Sequence, residues 1–333
     1  MEFQTLDTLS IDPEKVTDEI AAALRRQVTQ VLRRRGLVVA MSGGVDSSVC
    51  AGLAVRAFGP ERVFGVFMPE RDSDPDSLAL AREWADILGI EHTVEQIAPT
   101  LEALGCYARR DEAIRRVVPE YGDGWRCKIV LPGGRLESDR LNTFTLVVES
   151  PDGERQSHRL PPAEYRTIVA ATNFKQRVRK MLEYFHADRL HYAVTGTPNR
   201  LEYDQGFFVK GGDGLADVKP IAHLYKSQVY QLAESLGVPE GIVRRPPTTD
   251  TYSLPQTQEE FYFSLPATMM DQLLHAASAG LDAQTTSSRL GLEPEQVSRA
   301  FRDIAQKRTT TRYLHQPALL VDPVFEVAVP ELD

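Results

Sequence analysis

The chain has 333 residues, of which 42% are hydrophobic and 26% charged, which is typical of a globular protein with one large core or a core and a smaller satellite. Its net charge of −9 disfavours broad contact with a nucleic-acid backbone, and no apolar run reaches the length of a membrane span. We therefore expect neither a nucleic-acid partner nor membrane association.

The cysteines and the N-terminus indicate the compartment. Cys50, Cys106 and Cys127 show neither CxxC nor metal-ligand spacing, which argues against a disulfide framework and against structural zinc. The N-terminus carries acidic residues instead of the basic and apolar pattern of a secretion signal. We expect a cytoplasmic protein with reduced thiols.

The first strand-to-helix connection has the pattern of an anion site. An apolar run at residues 37–41 ends in Ser-Gly-Gly-Val-Asp-Ser-Ser at 42–48, and a helix is predicted from about Asp46. Glycines let the backbone approach a ligand, and the free N–H groups of the helix favour a phosphate. Asp46 would repel that phosphate, so its presence suggests a divalent cation between them, with Mg²⁺ as the default.

Strands and helices alternate along most of the chain, which favours a doubly wound parallel sheet with ligands at the carboxyl ends of its strands. Helices are predicted at 47–57, 77–88, 101–118 and 174–186, and strands at 37–41, 63–68, 92–97 and 190–195.

A β-rich stretch interrupts this alternation. The breaker Pro132-Gly133-Gly134, the turn at 151–153 and β-prone runs at 143–148 and 166–170 predict a small antiparallel insertion at about 128–171. Such an insertion is either functional or a tolerated surface decoration, and both interpretations stay open.

The loop at 42–48 resembles the SGGxDSS loop of the ATP pyrophosphatases, which cleave ATP between its α and β phosphates. No Gly-Lys-Ser/Thr follows the glycines, so the loop is not of the Walker type. Further segments are similar to those of the NAD synthetases in order and spacing. They are 173–181, similar to NxxxRxRM, then 195–202, 206–217, 220–226 and Lys307-Arg308.

Membership of the NAD synthetase family implies an adenine nucleotide alpha-hydrolase-like α/β fold with a helical C-terminal part, and a homodimer. We expect a helical segment at 1–36, the main domain at 37–308 and a tail at 309–333. The family adenylates the nicotinate carboxylate of deamido-NAD with ATP and then transfers ammonia to it, releasing AMP and pyrophosphate. No segment resembles a glutaminase, so free ammonia is the expected donor unless a separate glutaminase supplies it.

The resemblance also assigns residue roles. ATP-binding positions correspond to Ser42, Gly43, Gly44, Asp46, Ser47, Ser48, Met68, Thr197, Lys226 and Thr248. Mg²⁺ positions correspond to Asp46 and Glu202, and acceptor positions to Arg177, Arg179, Lys210, Asp213, Asp217 and Lys307. Asp46, Lys210, Asp213 and Lys226 are the expected catalytic residues. Arg177 and Arg179 could instead form a solvated helix face, and Asp217 could cap local backbone.

The departures from the family pattern lie on the acceptor side. Gly211 stands where the family has an aromatic residue or histidine, Gln306 replaces a histidine, and the segment 247–253 differs from the family sequence. A different carboxylate acceptor, amidated by the same chemistry, therefore stays open as an alternative.

Two other functions are weighed against amidation. A sulfur transferase could share the loop and carry sulfur on Cys127 or Cys106, but the acidic charge and the block at 202–217 oppose it. A non-catalytic nucleotide sensor would not need both metal carboxylates. A helix-turn-helix-like pattern at 284–302 is interpreted as two packed helices rather than a DNA-binding unit.

Overall fold

The computed structural model describes residues 9–131, 144–248, 251–263 and 265–324. Its central sheet has four parallel strands in the order β3-β2-β1-β7. The strands are β1 Leu37–Ala40, β2 Val63–Phe67, β3 Glu91–Val94 and β7 Ala193–Thr195. The chain leaves β1 toward β2 on one side while β7 lies on its other side, so the carboxyl end of β1 is a topological switch point, where ligands bind in such folds. The predicted parallel sheet is confirmed.

Helices cover both faces of this sheet. The first seven in chain order are α1 Pro13–Arg25, α2 Val45–Phe58, α3 Pro75–Leu88, α4 Ala98–Ala103, α5 Cys106–Arg115, α6 Pro162–Leu190 and α7 Arg200–Gln205. The others are α8 Lys226–Ser235, α9 Glu240–Val243, α10 Ala267–Ser278, α11 Ala283–Leu290 and α12 Pro294–His315. Leu37 and Val39 face the core that α1, α2 and α8 cover, whereas Val38 faces α5 and α6. This alternation explains why β1 is apolar throughout.

The small antiparallel sheet is also present. It consists of β4 Arg126–Val130, β5 Thr145–Glu149 and β6 Arg155–Arg159 in the order β4-β5-β6. Leu146 and Val148 of β5 are buried against Ile168 of α6. The breaker predicted at 132–134 and the first residue of the run at 143–148 lie outside the described residues.

The strand predicted at 166–170 is wrong, because these residues belong to α6, which begins at Pro162. Proline at the first helical position presets the backbone dihedral that a helix needs. Ile168, Ala171, Thr172 and Lys175 are then buried at helical spacing. Packing along this face overrides the strand preference of the β-branched residues.

The helix predicted at 101–118 is likewise wrong as a single unit, because Gly105 divides it into α4 and α5. Gly105 has a φ of +68° and caps the start of α5 in the left-handed region, which glycine enters without strain.

The C-terminal helices form a core of their own. Leu273 and Leu274 of α10 pack with Val297 and Ile304 of α12. Leu290 of α11 belongs to the same core, so the two helices in the stretch 284–302 are packed together as expected. α12 continues to His315, beyond the boundary expected at 308. At the other end, α1 and a π-helical turn Arg26–Val31 occupy the expected helical segment. Residues 1–8 of that segment and 325–333 of the tail lie outside the described part. Among the described helices, none combines the length and the apolar character of a membrane span.

Candidate functional site

A cavity of about 530 Å³ opens at the carboxyl ends of β1, β2 and β7. One wall comes from the loop at 42–48 and the start of α2, and another from one face of α6. Segments following β7 and α9 close the remaining sides. The position agrees with the switch point, and the lining brings together side chains that are far apart in the sequence.

The loop at 42–48 is built to hold an anion. Gly43 has a φ of +76°, and a Cβ added there would lie 2.4 Å from the Ser77 carbonyl oxygen, so no other residue fits without a shift. The hydroxyls of Ser47 and Ser48 donate to the Gly44 carbonyl at 3.0 and 2.9 Å. Gly44 precedes α2, and within the described chain no side chain caps that helix. Its first N–H groups can therefore bind a phosphate.

Two carboxylates and one ammonium group lie beside this loop. Asp46 forms an ion pair with Lys226 and accepts a hydrogen bond from Asn199 Nδ2 at 3.1 Å. Glu202 accepts from the Asn199 backbone N–H at 3.1 Å and from Gln258 Nε2 at 2.8 Å. Asn199 thus connects the two acids predicted for Mg²⁺, and it caps α7 as well.

The charges in this group perturb one another. Burial first, and then the Asp46 carboxylate, raise the pKa of Glu202 to about 7. Burial disfavours the charged form of Lys226, but Asp46 and Glu202 outweigh it and raise its pKa above the usual range. A cation beside the two acids is therefore favoured, and in this structure Lys226 supplies it.

The donor set suits a cation that also binds phosphate. No group of three or more His, Cys, Asp or Glu side chains with metal-binding geometry occurs among the described residues. Mg²⁺ does not require such a group, since one or two carboxylates, phosphate oxygens and water are its common ligands. Asp46 and Glu202 fit this role at the mouth of the anion loop.

Lys226 is held in place by Asp271 of α10, which sequence reasoning did not identify. The Asp271 carboxylate accepts the backbone N–H groups of Lys226 and Ser227 at 3.2 and 2.7 Å and so caps α8. Burial raises the pKa of Asp271 to about 6. An acid in an apolar helical stretch gives no signal that it will cap a helix 45 residues earlier.

Four of the predicted acceptor residues line the cavity. Arg179 Nε donates to the Met68 carbonyl at 3.5 Å, and Arg177 donates to the Lys210 carbonyl at 3.3 Å. Asp213 accepts from the Val209 N–H at 2.7 Å, and burial raises its pKa. The Lys210 ammonium donates to carbonyls at the C-terminal end of α12, at residues 313 and 316, both at 2.7 Å.

The two other residues predicted to bind the acceptor have partners elsewhere. Asp217 accepts the Val194 N–H at 2.7 Å and the Tyr184 hydroxyl at 3.2 Å, which supports the backbone-capping alternative. Lys307 donates to the Tyr262 carbonyl at 3.1 Å and pairs with Asp303. Neither is among the described residues that line the cavity.

Of the ATP positions, Met68, Thr197 and Thr248 line the cavity together with Ser42, Gly44, Asp46, Ser47 and Lys226. Gly43 and Ser48 are absent from the described lining, and both shape the loop, Gly43 by its positive φ and Ser48 by its hydrogen bond to the Gly44 carbonyl. In the divergent segment at 247–253, residues 249 and 250 lie outside the described chain.

A buried ionic network that the sequence did not indicate supports the cavity wall. Lys175 of α6 donates to Glu70 at 2.8 Å, to Asp72 at 2.7 Å and to the Thr251 carbonyl at 2.7 Å. Arg110 of α5 binds Asp72 at 2.6 Å. Burial opposes ionisation of Asp72, but Lys175 and Arg110 outweigh it and lower its pKa. The network ties the loop after β2 to two helices.

Aromatic side chains form much of the remaining wall. Gly211, with a φ of +74°, leaves open space where the family pattern has an aromatic residue or histidine. Aromatic rings come instead from other segments, namely Phe144, Tyr165, Phe207, Phe208, Tyr252, Phe261, Tyr262 and Tyr313.

The cysteines do not fit a sulfur carrier. Cys106 and Cys127 are buried, and neither is among the described lining residues. Burial raises the pKa of Cys106 to about 11 and that of Cys127 above its usual range, which disfavours the thiolate that sulfur transfer needs.

Comparison with known proteins gives one consistent family. The NAD synthase family model matches residues 16–118 and 151–315. The chain is 58% identical over 319 residues to the NH(3)-dependent NAD(+) synthetase of Rhizobium rhizogenes strain K84, covering 96% of both chains. It is 60% identical over 321 residues to the enzyme of the same name from Rhizobium meliloti strain 1021, again covering 96% of both.

Two solved structures have the same fold. NMN synthetase from Francisella tularensis aligns over 93% of this chain and 99% of its own, with a TM-score of 0.62 and 22% identity. The NH3-dependent NAD synthetase from Campylobacter jejuni aligns over 94% and 100%, with a TM-score of 0.61 and 20% identity.

Proposed function

The chain belongs to the NAD synthase family, and from this premise we propose that it amidates the nicotinate carboxylate of deamido-NAD with ammonia and ATP. The reaction is that of a carbon–nitrogen ligase that releases AMP and pyrophosphate. The observation that carries the proposal is the identity of about 60% over nearly the whole length with relatives named for this activity. The anion loop next to Asp46, Glu202 and Lys226 gives the activity a physical basis.

The chemistry requires activation of a carboxylate, whose negative charge repels a nucleophile and whose oxide is a poor leaving group. A carboxylate oxygen attacks the α-phosphorus of ATP, and the bond to the β-phosphate oxygen breaks. Ammonia then attacks the acyl carbon of the mixed anhydride and loses a proton, and AMP leaves with the former carboxylate oxygen. The protein must therefore stabilise pyrophosphate first and AMP second, with no obligatory protein nucleophile.

We assign pyrophosphate stabilisation to the loop and to Lys226. The N–H groups at the start of α2 and the Ser42 and Ser47 side chains would hold the departing phosphates, while the Lys226 ammonium offsets their growing charge. Such preorganised charge is the largest catalytic contribution in many enzymes. Thr197 and Thr248 would contact the same phosphates from the other side of the cavity.

We further assign Mg²⁺ to Asp46 and Glu202. Bound there, Mg²⁺ would neutralise phosphate charge in the transition state. Burial and the repulsion from Asp46 together raise the pKa of Glu202, and this repulsion favours a divalent cation between the two acids. When the phosphates are in place, Lys226 can turn from Asp46 toward them while the acids keep a cationic partner.

On the acceptor side, Arg177 and Arg179 would attract the anionic substrate, and Lys210 and Asp213 would orient the carboxylate and the incoming ammonia. Asp213 is well suited to ammonia because its buried carboxyl group can accept a hydrogen bond from it. Asp217 and Lys307 would support the site without contacting the substrate. Asp217 would do so through its hydrogen bond to β7, and Lys307 through its hydrogen bond to the carbonyl of residue 262.

We also propose that the protein is a homodimer. Met181 and Phe185 lie one helical turn apart on α6 and are 58% and 57% exposed. Val178 and Ala187 of the same helix are buried in the core, so α6 has a second, outward-facing apolar stripe. Pairing of this stripe with a second copy would cover both side chains.

The test is a product analysis with purified protein, ATP, deamido-NAD and ammonium. NAD, AMP and pyrophosphate should form in equal amounts, with kcat/KM for deamido-NAD of about 10⁴ M⁻¹ s⁻¹ or above. A panel of other metabolite carboxylic acids serves as the comparison. Stoichiometric ADP and phosphate, or preference for another acid, would contradict the proposal.

A further inference from the structure

A stacked aromatic pair lies where the insertion meets the cavity. The rings of Phe144 and Tyr165 have centroids 4.0 Å apart and planes inclined by 14°. Both residues line the cavity. Phe144 directly precedes β5, and its carbonyl accepts the Leu160 N–H at 2.9 Å, while Tyr165 lies near the start of α6. The small sheet and the helix therefore fix the backbone on both sides of the pair.

The pair is well separated from Arg179 along α6. α6 has 29 residues and extends for about 44 Å, whereas the strands of the central sheet extend for about 16 Å or less. Arg179 reaches the Met68 carbonyl at the carboxyl end of β2 and so marks the edge of the sheet. Tyr165 precedes Arg179 by 14 residues, which places it about 21 Å further along the helix.

This distance separates the pair from the expected position of ATP. The anion loop, Asp46 and Met68 all lie at the edge of the sheet, so ATP would extend between them. The acceptor carboxylate must meet the α-phosphate at that same edge. A base stacked on Tyr165 would then belong to the end of the acceptor that is remote from its carboxylate, and a mononucleotide lacks this second base.

The small sheet that carries Phe144 also lies apart from the family pattern. The family model matches 16–118 and 151–315 and so leaves out 119–150, which include β4, β5 and Phe144. This stretch therefore adds a ring to the cavity that the family model does not describe. Partly exposed aromatic rings stack with nucleobases of any sequence, because every base has a π-face.

We propose, on the premise of the proposed function, that the Phe144–Tyr165 pair binds the adenine ring of the acceptor dinucleotide. The acceptor lies along α6 with its carboxylate near Asp213 and its adenine on the pair. The insertion is then a specificity element that favours a dinucleotide over a mononucleotide acceptor.

The test compares deamido-NAD with nicotinate mononucleotide, which has the same reacting carboxylate but no adenine. In Phe144→Leu and Tyr165→Leu, KM for deamido-NAD should rise by about 5- to 150-fold, the range expected for loss of a stacked ring. The KM for ATP, kcat, and the activity with nicotinate mononucleotide should stay close to wild type. Phe144→Tyr keeps the ring and should restore the KM for deamido-NAD.

Trp125→Leu is the matched control for damage to the small sheet. Trp125 packs against Tyr121 with ring centroids 5.9 Å apart and is not among the described residues that line the cavity. It should lower thermal stability without changing the ratio of the two acceptors. If Trp125→Leu reproduces the effect of Phe144→Leu, or if Phe144→Leu raises KM for ATP or for both acceptors equally, the inference is wrong.

Calorimetric titration of the unreacted protein with deamido-NAD separates this inference from the proposed function. A wild type that neither binds nor converts deamido-NAD would refute the proposed function. If the wild type binds and converts deamido-NAD but Phe144→Leu binds it with unchanged affinity, the adenine-binding role of the Phe144–Tyr165 pair is refuted and the proposed function is not. If the wild type binds deamido-NAD tightly and Phe144→Leu binds it more weakly, the result supports the adenine-binding role of the pair.

Discussion

At the scale of single residues, Asp46 contacts both Lys226 and Asn199, and it occupies the first turn of the helix that faces the phosphates. Replacement of Asp46 by Ala removes a ligand of the proposed cation and leaves the Lys226 ammonium without this partner. We expect the rate of AMP formation to fall a thousandfold or more, because metal stabilisation of the leaving group is worth several kcal/mol.

The matched control is Asp76→Ala, since Asp76 is an exposed acid in the first turn of α3. Single-turnover release of pyrophosphate at saturating Mg²⁺ provides the measurement. Turnover of Asp46→Ala within tenfold of wild type would exclude the assigned role.

We expect Glu202 to make nucleotide binding dependent on pH. Its pKa of about 7 in the folded protein is above the ordinary value near 4.5, so the folded state binds the extra proton between these limits. The contribution of Glu202 to stability is thus present below about pH 4.5 and is lost as the pH rises through 7. A bound metal requires the ionised form, so the affinity for Mg²⁺ with a non-hydrolysable ATP analogue should weaken as pH falls below 7.

Titration calorimetry between pH 6 and pH 8 measures this dependence. Glu202→Gln should bind Mg²⁺ and the ATP analogue more weakly at every pH, and its affinity should no longer depend on pH. Glu234→Gln, at an exposed position on α8, should keep the pH dependence of the wild type. If the affinity of Glu202→Gln depends on pH as in the wild type, a group other than Glu202 causes the pH dependence.

At the scale of elements, the cap that Asp271 places on α8 connects stability with activity. Asp271→Ala leaves two backbone N–H groups without their acceptor, at a cost of about 1–2 kcal/mol. It also frees the start of α8 to move, so kcat should fall because Lys226 loses its orientation. Asp271→Asn keeps a side-chain oxygen that accepts a hydrogen bond from the start of α8, and this variant should recover most of the activity.

Asp282→Ala separates the two effects, because Asp282 caps α11 by accepting the Thr285 N–H at 2.7 Å, and no described residue of α11 lines the cavity. Denaturant unfolding should show a similar loss of stability for both alanine variants. The positioning role is refuted if Asp271→Ala loses stability but retains wild-type kcat.

The elements also show what local sequence can and cannot predict. The strand, glycine pair and helix at 37–58 were predictable because each residue type there acts on its own neighbours. Residues 166–170 were mistaken for a strand because β-branched side chains favour strands locally, while burial of Ile168 against the small sheet favours the helix.

The same distinction applies to the site. Glu202 and Lys226 belong to recognisable segments and line the cavity as expected. Gln258, Asp271 and Lys175 meet their partners across 56, 45 and 105 residues of chain, and only tertiary packing brings them together. For Asp217 the sequence pattern was misleading in the other direction. Its segment matches the family pattern for acceptor binding, but its carboxylate binds the Val194 N–H of β7.

At the scale of the whole molecule, the outward stripe of α6 makes the proposed homodimer testable. Met181 and Phe185 are both more than half exposed on one helix face, and their contact with water is unfavourable. Association with a second copy would bury both side chains and so favour the dimer. The mass measured by light scattering at micromolar concentration should be twice the chain mass of 37.2 kDa. Met181→Glu combined with Phe185→Glu should give the single-chain mass, since burying two charges at the interface is costly.

The control for this experiment is Ile87→Glu, which introduces one charge at a 60% exposed apolar position on α3, away from the stripe. It should remain dimeric with an unchanged unfolding temperature. The stripe faces away from the core that Val178 and Ala187 build, so the double variant should also unfold cooperatively as a monomer. A wild type of single-chain mass, or a double variant that stays dimeric, would show that α6 does not form the dimer contact.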